Sequence, residues 1–459
     1  MNSAGFKDYC KTFSDLPYNT LDIIGNNNLK IGIAIKKNIS PIENDLNNVS
    51  NFRNNNNNNQ FQNNNIYQIN PIMNNINNSP SILNTFPFQP KIGLDNINAP
   101  CYINPILQCL LHIEEFVSYF KYNDYINNVS NNYIQKGKNC LSTSIKLLID
   151  NIWSNNSKGN YNPYELIEKI NRMSNLIKNN INNMNDNIKN FLLFLINALN
   201  EELNQDNNNS LVLNNNFSNN NTFMQAFNEF NSNFSKNYNS IISKLFYAIQ
   251  MTQTTCLNCN DIQYNFQTYF FLSFPLSEVK QYAINQQQFK INMNNNNFNM
   301  NNMNMKLLNL ANNIADIFDC FDYLQKTEIL TNDNSIFCYN CKQLSVANYS
   351  LRLYNSPKIL ILILERENIF QNIKIDFPLK LDLSQYFVDQ NAKHNYKLIG
   401  VVSYIINDLQ NWFLISHCLS PIDNKWYTYK DSTVNEVYDF KSQILNHGLP
   451  CILFYQKIE

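Results

Sequence analysis

Four cysteines in two Cys-x-x-Cys pairs, Cys256-Leu257-Asn258-Cys259 and Cys338-Tyr339-Asn340-Cys341, set the strictest condition on this chain. Four thiolates are the number a closed tetrahedral zinc site requires, and each pair suits a knuckle turn that holds half of the ion. Any fold that satisfies them must bring two widely separated segments together, with the Asn-rich stretch Asn295–Asn304 accommodated in between. Neither pair opens a helix in a βαβ context, which disfavours redox catalysis and leaves a structural Zn2+ as the expected cofactor. The 11 cysteines are odd in number and run from Cys10 to Cys451. That pattern fits a reducing compartment better than a disulfide scaffold, so an intracellular location, cytoplasmic and/or nuclear, is expected.

Charge excludes other classes. Lys plus Arg total 34 against 35 Asp plus Glu, a formal net charge of -1. No global field favours nucleic acid or an anionic membrane. No wholly apolar run is longer than Ile359 to Leu364, which falls far short of the roughly 20 residues of a membrane-spanning helix. The start, MNSAGFKDYCKTF, lacks the basic and apolar regions of a secretory signal. Neither nucleic acid nor a membrane is expected as a partner, and the sequence leaves the oligomeric state unknown.

Hydrophobic residues make up 44% of the chain, enough for a large core. Asn54–Asn65, Asn74–Asn78, Asn207–Asn221 and Asn295–Asn304 lack the apolar periodicity that offsets chain ordering, and are expected to be disordered tails or surface insertions. This divides the chain into a largely disordered extension, 1–90, and a patterned body, 91–457, with insertions near 205–221 and 287–305. Loop insertions cost little closure entropy, so one fold can tolerate both.

Within the body, Asn104–Phe120, Ile188–Leu203 and Ser240–Gln250 carry apolar residues at helical spacing. Gln263–Leu276, Lys358–Glu365, Tyr396–Tyr404, Trp412–Ser416, Trp426–Lys430 and Cys451–Tyr455 have strand composition. Helices early and strands late give an α+β order and argue against a nucleotide-binding βαβ sheet. No Gly-rich phosphate loop occurs.

Chemistry is expected first at Cys101, at the end of a loop and just before a helix, where unpaired N–H groups favour the thiolate. Asn96, five residues earlier, could offer its amide to an oxyanion. The segment Gly93-Leu94-Asp95-Asn96-Ile97-Asn98-Ala99-Pro100-Cys101-Tyr102-Ile103-Asn104 followed by Leu107-Gln108 resembles the cysteine box of the ubiquitin-specific protease family, G-L-x-N-x-G-N-T-C-Y-x-N-x-x-L-Q. Asn98-Ala99-Pro100 replaces its Gly-Asn-Thr, and the proline removes an amide donor before the nucleophile.

The histidines are His112, His394, His417 and His447. His417 lies on an apolar strand that precedes Trp426-Tyr427-Thr428-Tyr429, and this region resembles the same family's histidine box, in which G-H-Y is followed by W-x-x-F-D/N-D-x-x-V. Ser416 and Cys418 stand where the family has Gly and Tyr. The two cysteine pairs resemble the family's fingers, and the likeness runs from about Lys91 to Lys457.

The resemblance implies a papain-like cysteine protease fold with palm, thumb and zinc-ribbon fingers, acting on ubiquitin and ubiquitinated proteins. It implies Cys101 as nucleophile, His417 as base, Asn96 as oxyanion donor and Asp431 as an orienting or oxyanion-supporting acid. Cys256, Cys259, Cys338 and Cys341 are the implied metal ligands. The implied reaction is thiol-dependent hydrolysis of the bond after ubiquitin's C-terminal glycine. Lys430 occupies the place of the third triad member and can only donate a hydrogen bond. The alternative is therefore a catalytically weak or inactive ubiquitin-binding scaffold with the same fold.

Overall fold

The computed structural model describes residues 91–97, 99–122, 140–154, 159–174, 184–205, 222–293, 300–367, 372–389, 392–406 and 412–458. The expected 1–90 extension, Asn98 and the tract Asn207–Asn221 lie outside these residues.

The run ILILILE, Ile359–Glu365, is buried on both faces up to Leu364, as a continuous β-branched and leucine pattern requires of a central strand. It sits inside an eight-stranded sheet. From one edge the order is Thr433–Val437, Trp426–Lys430, Trp412–Leu419, Asn395–Ile406, Leu449–Ile458, Ile359–Glu365 and Phe271–Pro275. Lys380–Asp382 pairs alongside Asn395–Ile406. Pairing is antiparallel except between the last two strands in the order. This sheet is the palm. One face packs on Leu276, Val279, Ile317, Phe321 and Tyr386; the other receives the helix Ile103–Leu110, all eight residues of which are buried.

The thumb helices include Glu114–Tyr122, Leu141–Ile152 and Met184–Leu203. Glu202 is 1% exposed, and its carboxylate accepts hydrogen bonds from the Leu141 and Ser142 N–H groups at 2.7 and 2.8 Å. It thereby caps one thumb helix from another. A second sheet, ordered Ile262–Tyr269, Ala248–Cys256, Ala347–Leu353 and Glu328–Leu330, forms the fingers, with the short hairpin Ile336–Cys338 and Gln343–Ser345 beside it. The palm, thumb and fingers architecture and the α+β order are thus present. No helix among the described residues is long and apolar enough to cross a membrane.

Three local expectations change. Asn104–Phe120 is two helices, Ile103–Leu110 and Glu114–Tyr122, because His112 and Ile113 donate to carbonyls three residues back, and Glu114 and Glu115 then favour a new N-terminus. Ser240–Gln250 is helical only over Ile241–Phe246: Ser240 and Ser243 form a reciprocal capping box, after which Thr-rich Ala248–Cys256 joins the fingers sheet. The 287–305 insertion is helical where it is described, as parts of Leu276–Met293 and Met300–Ala311. Leu310 anchors the second of these helices in the core at 1% exposure, so tertiary contact overrides the weak helix preference of asparagine.

One glycine ties the sheet edge to the loop before Cys101. A Cβ at Gly93 would lie 2.4 Å from the Ser432 carbonyl carbon and oxygen and 2.6 Å from the Asp431 oxygen. Gly93→Ala should therefore destabilise the fold by about 1–3 kcal/mol, the usual cost of overpacking against backbone. A thermal melt several degrees below wild type is the expected result.

Candidate active site and metal centre

Cys101 enters the helix Ile103–Leu110 through a turn in which Ile103 N–H donates to the Pro100 carbonyl at 3.0 Å. The approaching strand is stapled to that helix by side chains. Gln108 Nε2 donates to the Ile92 carbonyl at 3.1 Å, and Asn104 Nδ2 donates to Asp431 Oδ1 at 2.9 Å. Asn96 Nδ2 reaches Asp431 Oδ2 at 3.5 Å, while Leu94 N–H donates to the Asp431 backbone carbonyl at 2.9 Å. Asp431 adopts a left-handed φ of 47°, which lets the chain turn at the end of Trp426–Lys430 and aim the carboxylate at these amides. Asn96 and Asp431 therefore meet beside Cys101. Burial, and then the charge of Asp431, push the Cys101 thiol up to about 11 against the lowering effect of its own N–H. At neutral pH it rests as a thiol.

His417 is not part of this group. Tyr404 and Cys451 are held above their ordinary range by burial first, and both also feel the charge of Cys101. In the palm register Tyr404 lies opposite Leu414, whereas Gly400 lies opposite Cys418. Cys109, at the other end of the helix, packs on that second pair: its Sγ is 3.9 Å from Cys418 Sγ and would lie 3.1 Å from a Cβ at Gly400. The helix thus runs from the Leu414 level at Cys101 to the Cys418 level at Cys109. Leu414 and His417 are three residues, or about 10 Å, apart along the strand. Among the described residues no hydrogen bond joins His417 to Cys101.

The expectation that His417 is the base of Cys101 is corrected accordingly. Its Nδ1 instead pairs with Thr428 Oγ1 at 2.8 Å, in register on the neighbouring strand, and its Nε2 is buried without a partner. Asp431 holds Asn96 and Asn104, and among the described residues no hydrogen bond joins it to His417. Of the other histidines, His112 bonds to the Gln108 carbonyl and Tyr429 Oη, His394 stacks on Phe387, and His447 is exposed in the cleft that Phe413, His417 and Lys430 also line.

Burial, reinforced by nearby His447, lowers the His417 pKa to about 3, and burial lowers that of His394 to about 4. Both lie below the unfolded value of about 6.5. Between these limits the unfolded chain binds more protons, so stability is complete above about pH 6.5 and falls as pH drops toward the folded values. One such group contributes a slope of about 1.4 kcal/mol per pH unit in that window. Thermal unfolding from pH 7 to 5 should show the decline, and His417→Gln should make it shallower.

The four predicted metal ligands do converge. Cys256 Sγ lies 3.8 Å from Cys341 Sγ and Cys259 Sγ lies 3.5 Å from Cys338 Sγ, with all four sulfurs within 4.8 Å of one another. A tetrahedron with metal–sulfur bonds of about 2.3 Å has sulfurs about 3.8 Å apart, so the group can hold a metal ion. Each pair closes the same way: Asn260 N–H bonds to the Cys256 carbonyl and Lys342 N–H to the Cys338 carbonyl, with φ of 58° and 57° at Asn260 and Lys342. These are two equivalent knuckles.

Comparison with known proteins agrees with this architecture. The family model described as ubiquitin carboxyl-terminal hydrolase matches residues 92–455. Ubiquitin carboxyl-terminal hydrolase 2 of Bos taurus is 22% identical over 385 residues, covering 82% of this chain and 56% of that protein. Ubiquitin carboxyl-terminal hydrolase 5 of Saccharomyces cerevisiae is 22% identical over 398 residues, covering 80% and 45%. The chain thus spans about half the length of these curated relatives. Among solved structures, yeast SAGA DUBm aligns with a TM-score of 0.54 at 17% identity, covering 81% of this chain and 69% of that one. A SAGA DUB module bound to monoubiquitin aligns at 0.51 and 17%, covering 81% and 70%. With the palm, the thumb, the cysteine box and the paired knuckles in family order, the chain belongs to the ubiquitin carboxyl-terminal hydrolase family, whose members are cysteine-type deubiquitinating hydrolases.

Proposed function

We propose that this chain is a deubiquitinating thiol hydrolase acting on the peptide or isopeptide bond after the C-terminal glycine of ubiquitin, with ubiquitin and ubiquitinated proteins as its partners. The observation that carries the reading is the convergence of Cys101, Asn96 and Asp431 at the start of a buried helix in a chain of this family. Cys101 Sγ attacks the glycine carbonyl. Asn96 Nδ2, held by the Asp431 carboxylate, donates to the developing oxyanion, a role most effective when the donor is already oriented. The amine leaves with a proton, and water releases ubiquitin from the thioester.

Cys256, Cys259, Cys338 and Cys341 hold a structural zinc in this reading, which stiffens the fingers and takes no part in the chemistry. Thiols kept free for a metal suit an intracellular setting, which belongs to the same proposal. Among the described residues no hydrogen bond joins an imidazole to Cys101, and this favours a second reading, a member that captures ubiquitin and cleaves it slowly or not at all. Both are tested with ubiquitin bearing a C-terminal fluorophore, beside monoubiquitin binding measured by calorimetry. Turnover lost in Cys101→Ala supports the first reading, binding without turnover supports the second, and no binding contradicts both.

A further inference from the structure

We infer that Phe413 and Lys430 occupy the places of the general base and of its orienting partner in this active site, and that Cys101 works here without imidazole assistance. The inference rests on the deubiquitinase reading and deepens it. Lys430 directly precedes Asp431, whose carboxylate gathers Asn96 and Asn104 beside Cys101. The Lys430 Nζ lies 4.0 Å over the centroid of the Phe413 ring. A side chain at position 430 therefore meets position 413, at the Cys101 end of the helix, and not position 417. The two residues share a cleft of about 520 Å³ with His417, Thr428 and the exposed His447. His417 is one residue from Cys418, which packs on Cys109 at the far end of the helix.

The pairing is self-consistent as chemistry. An imidazole at 413 with a carboxylate or amide at 430 would form a hydrogen-bonded pair; a benzene ring at 413 with an ammonium at 430 forms a cation–π pair at the same contact. Phe413 has no lone pair to take a proton, and the Lys430 ammonium has none to offer. The Cys101 proton must then pass to hydroxide or water before sulfur attacks the glycine carbonyl carbon. The sulfur–carbon bond forms, the amide carbon–nitrogen bond breaks, and the departing amine takes its proton from water. A second water then cleaves the thioester, releasing ubiquitin's carboxylate and the thiol. Substrate capture by the rest of the surface is unaffected by this exchange.

The test installs the missing pair in the full chain, as Phe413→His with Lys430→Asn, with Phe413→His alone in reserve if the double variant folds poorly. Two readouts are taken: turnover of ubiquitin bearing a C-terminal fluorophore, and alkylation of Cys101 by iodoacetamide as a function of pH, followed by peptide mass. The variant should gain at least about 100-fold in kcat with KM within about twofold of wild type, the scale of a positioned acid–base group. Its alkylation at pH 7 should rise about 10-fold or more and acquire an inflection in the imidazole range. In wild type both rates should climb steadily through pH 9 without that inflection. The inference is overturned if the variant gains in neither readout, or if His417→Gln or His447→Gln lowers the wild-type neutral-pH rate 10-fold or more. Alkylation needs no ubiquitin, so if ubiquitin is not bound at all the deubiquitinase reading fails while Cys101 alkylation still decides whether position 413 can serve as a base.

Discussion

Replacing Cys338 by serine should abolish metal binding and release the fingers while the palm and thumb stay folded. The sulfur removed lies 3.5 Å from Cys259 Sγ at the centre of the four-thiol group. Around it the hairpin Ile336–Cys338 and Gln343–Ser345 has strands of only three residues, and Phe337, Tyr339 and Leu344 are exposed. A two-stranded hairpin of that size does not hold itself in water. Binding of a structural zinc ion contributes about 10–16 kcal/mol to small domains that depend on it, so its loss is decisive locally. Elemental analysis should find one zinc per wild-type chain and none in Cys338→Ser. Limited proteolysis should then cut within 336–345 in the variant, and in wild type treated with chelator. A metal-free wild type with intact fingers would remove zinc from the account.

Asp431→Ala should have opposite effects on the two reactions of Cys101. Removing the carboxylate takes away a charge that raises the thiol pKa, so iodoacetamide alkylation at pH 8 should become faster. The same change releases Asn96 Nδ2 and deprives Asn104 of its 2.9 Å partner, so the oxyanion donor is no longer held. Loss of one such donor typically costs about 10²–10³-fold in kcat. A more reactive thiol with slower ubiquitin hydrolysis is therefore the expected signature. A parallel fall in both rates would mean that the Asp431 clasp only keeps the site folded.

The residues most legible from sequence were those whose role is set by local spacing. Each Cys-x-x-Cys pair encodes its own knuckle, and the two needed only to meet. Cys101 and Asn96 lie on one loop leading into one helix, so their proximity follows from a few residues of chain. The palm strand Ile359–Glu365 was readable because it is apolar at every position through Leu364. His417 failed for the opposite reason. Its assignment depended on strand register, and a shift of four residues keeps the side chain on the same face while moving it more than 10 Å along the strand. The residue that meets position 430 is Phe413, an apolar residue that no search for titratable groups would select. The helix break at Leu111–Ile113 and the helix Met300–Ala311 were missed because tight-turn hydrogen bonds and a single buried Leu310 decided them, against local pattern and composition.

The central claim, that Cys101 is the nucleophile of a ubiquitin-directed site, is tested most directly by incubating the full chain with ubiquitin carrying a C-terminal electrophile and weighing the intact product. Wild type should gain one ubiquitin, more quickly at pH 9 than at pH 7 because the thiol rests protonated, and Cys101→Ala should gain none. An unlabelled wild type, or an adduct that persists in Cys101→Ala, would contradict it.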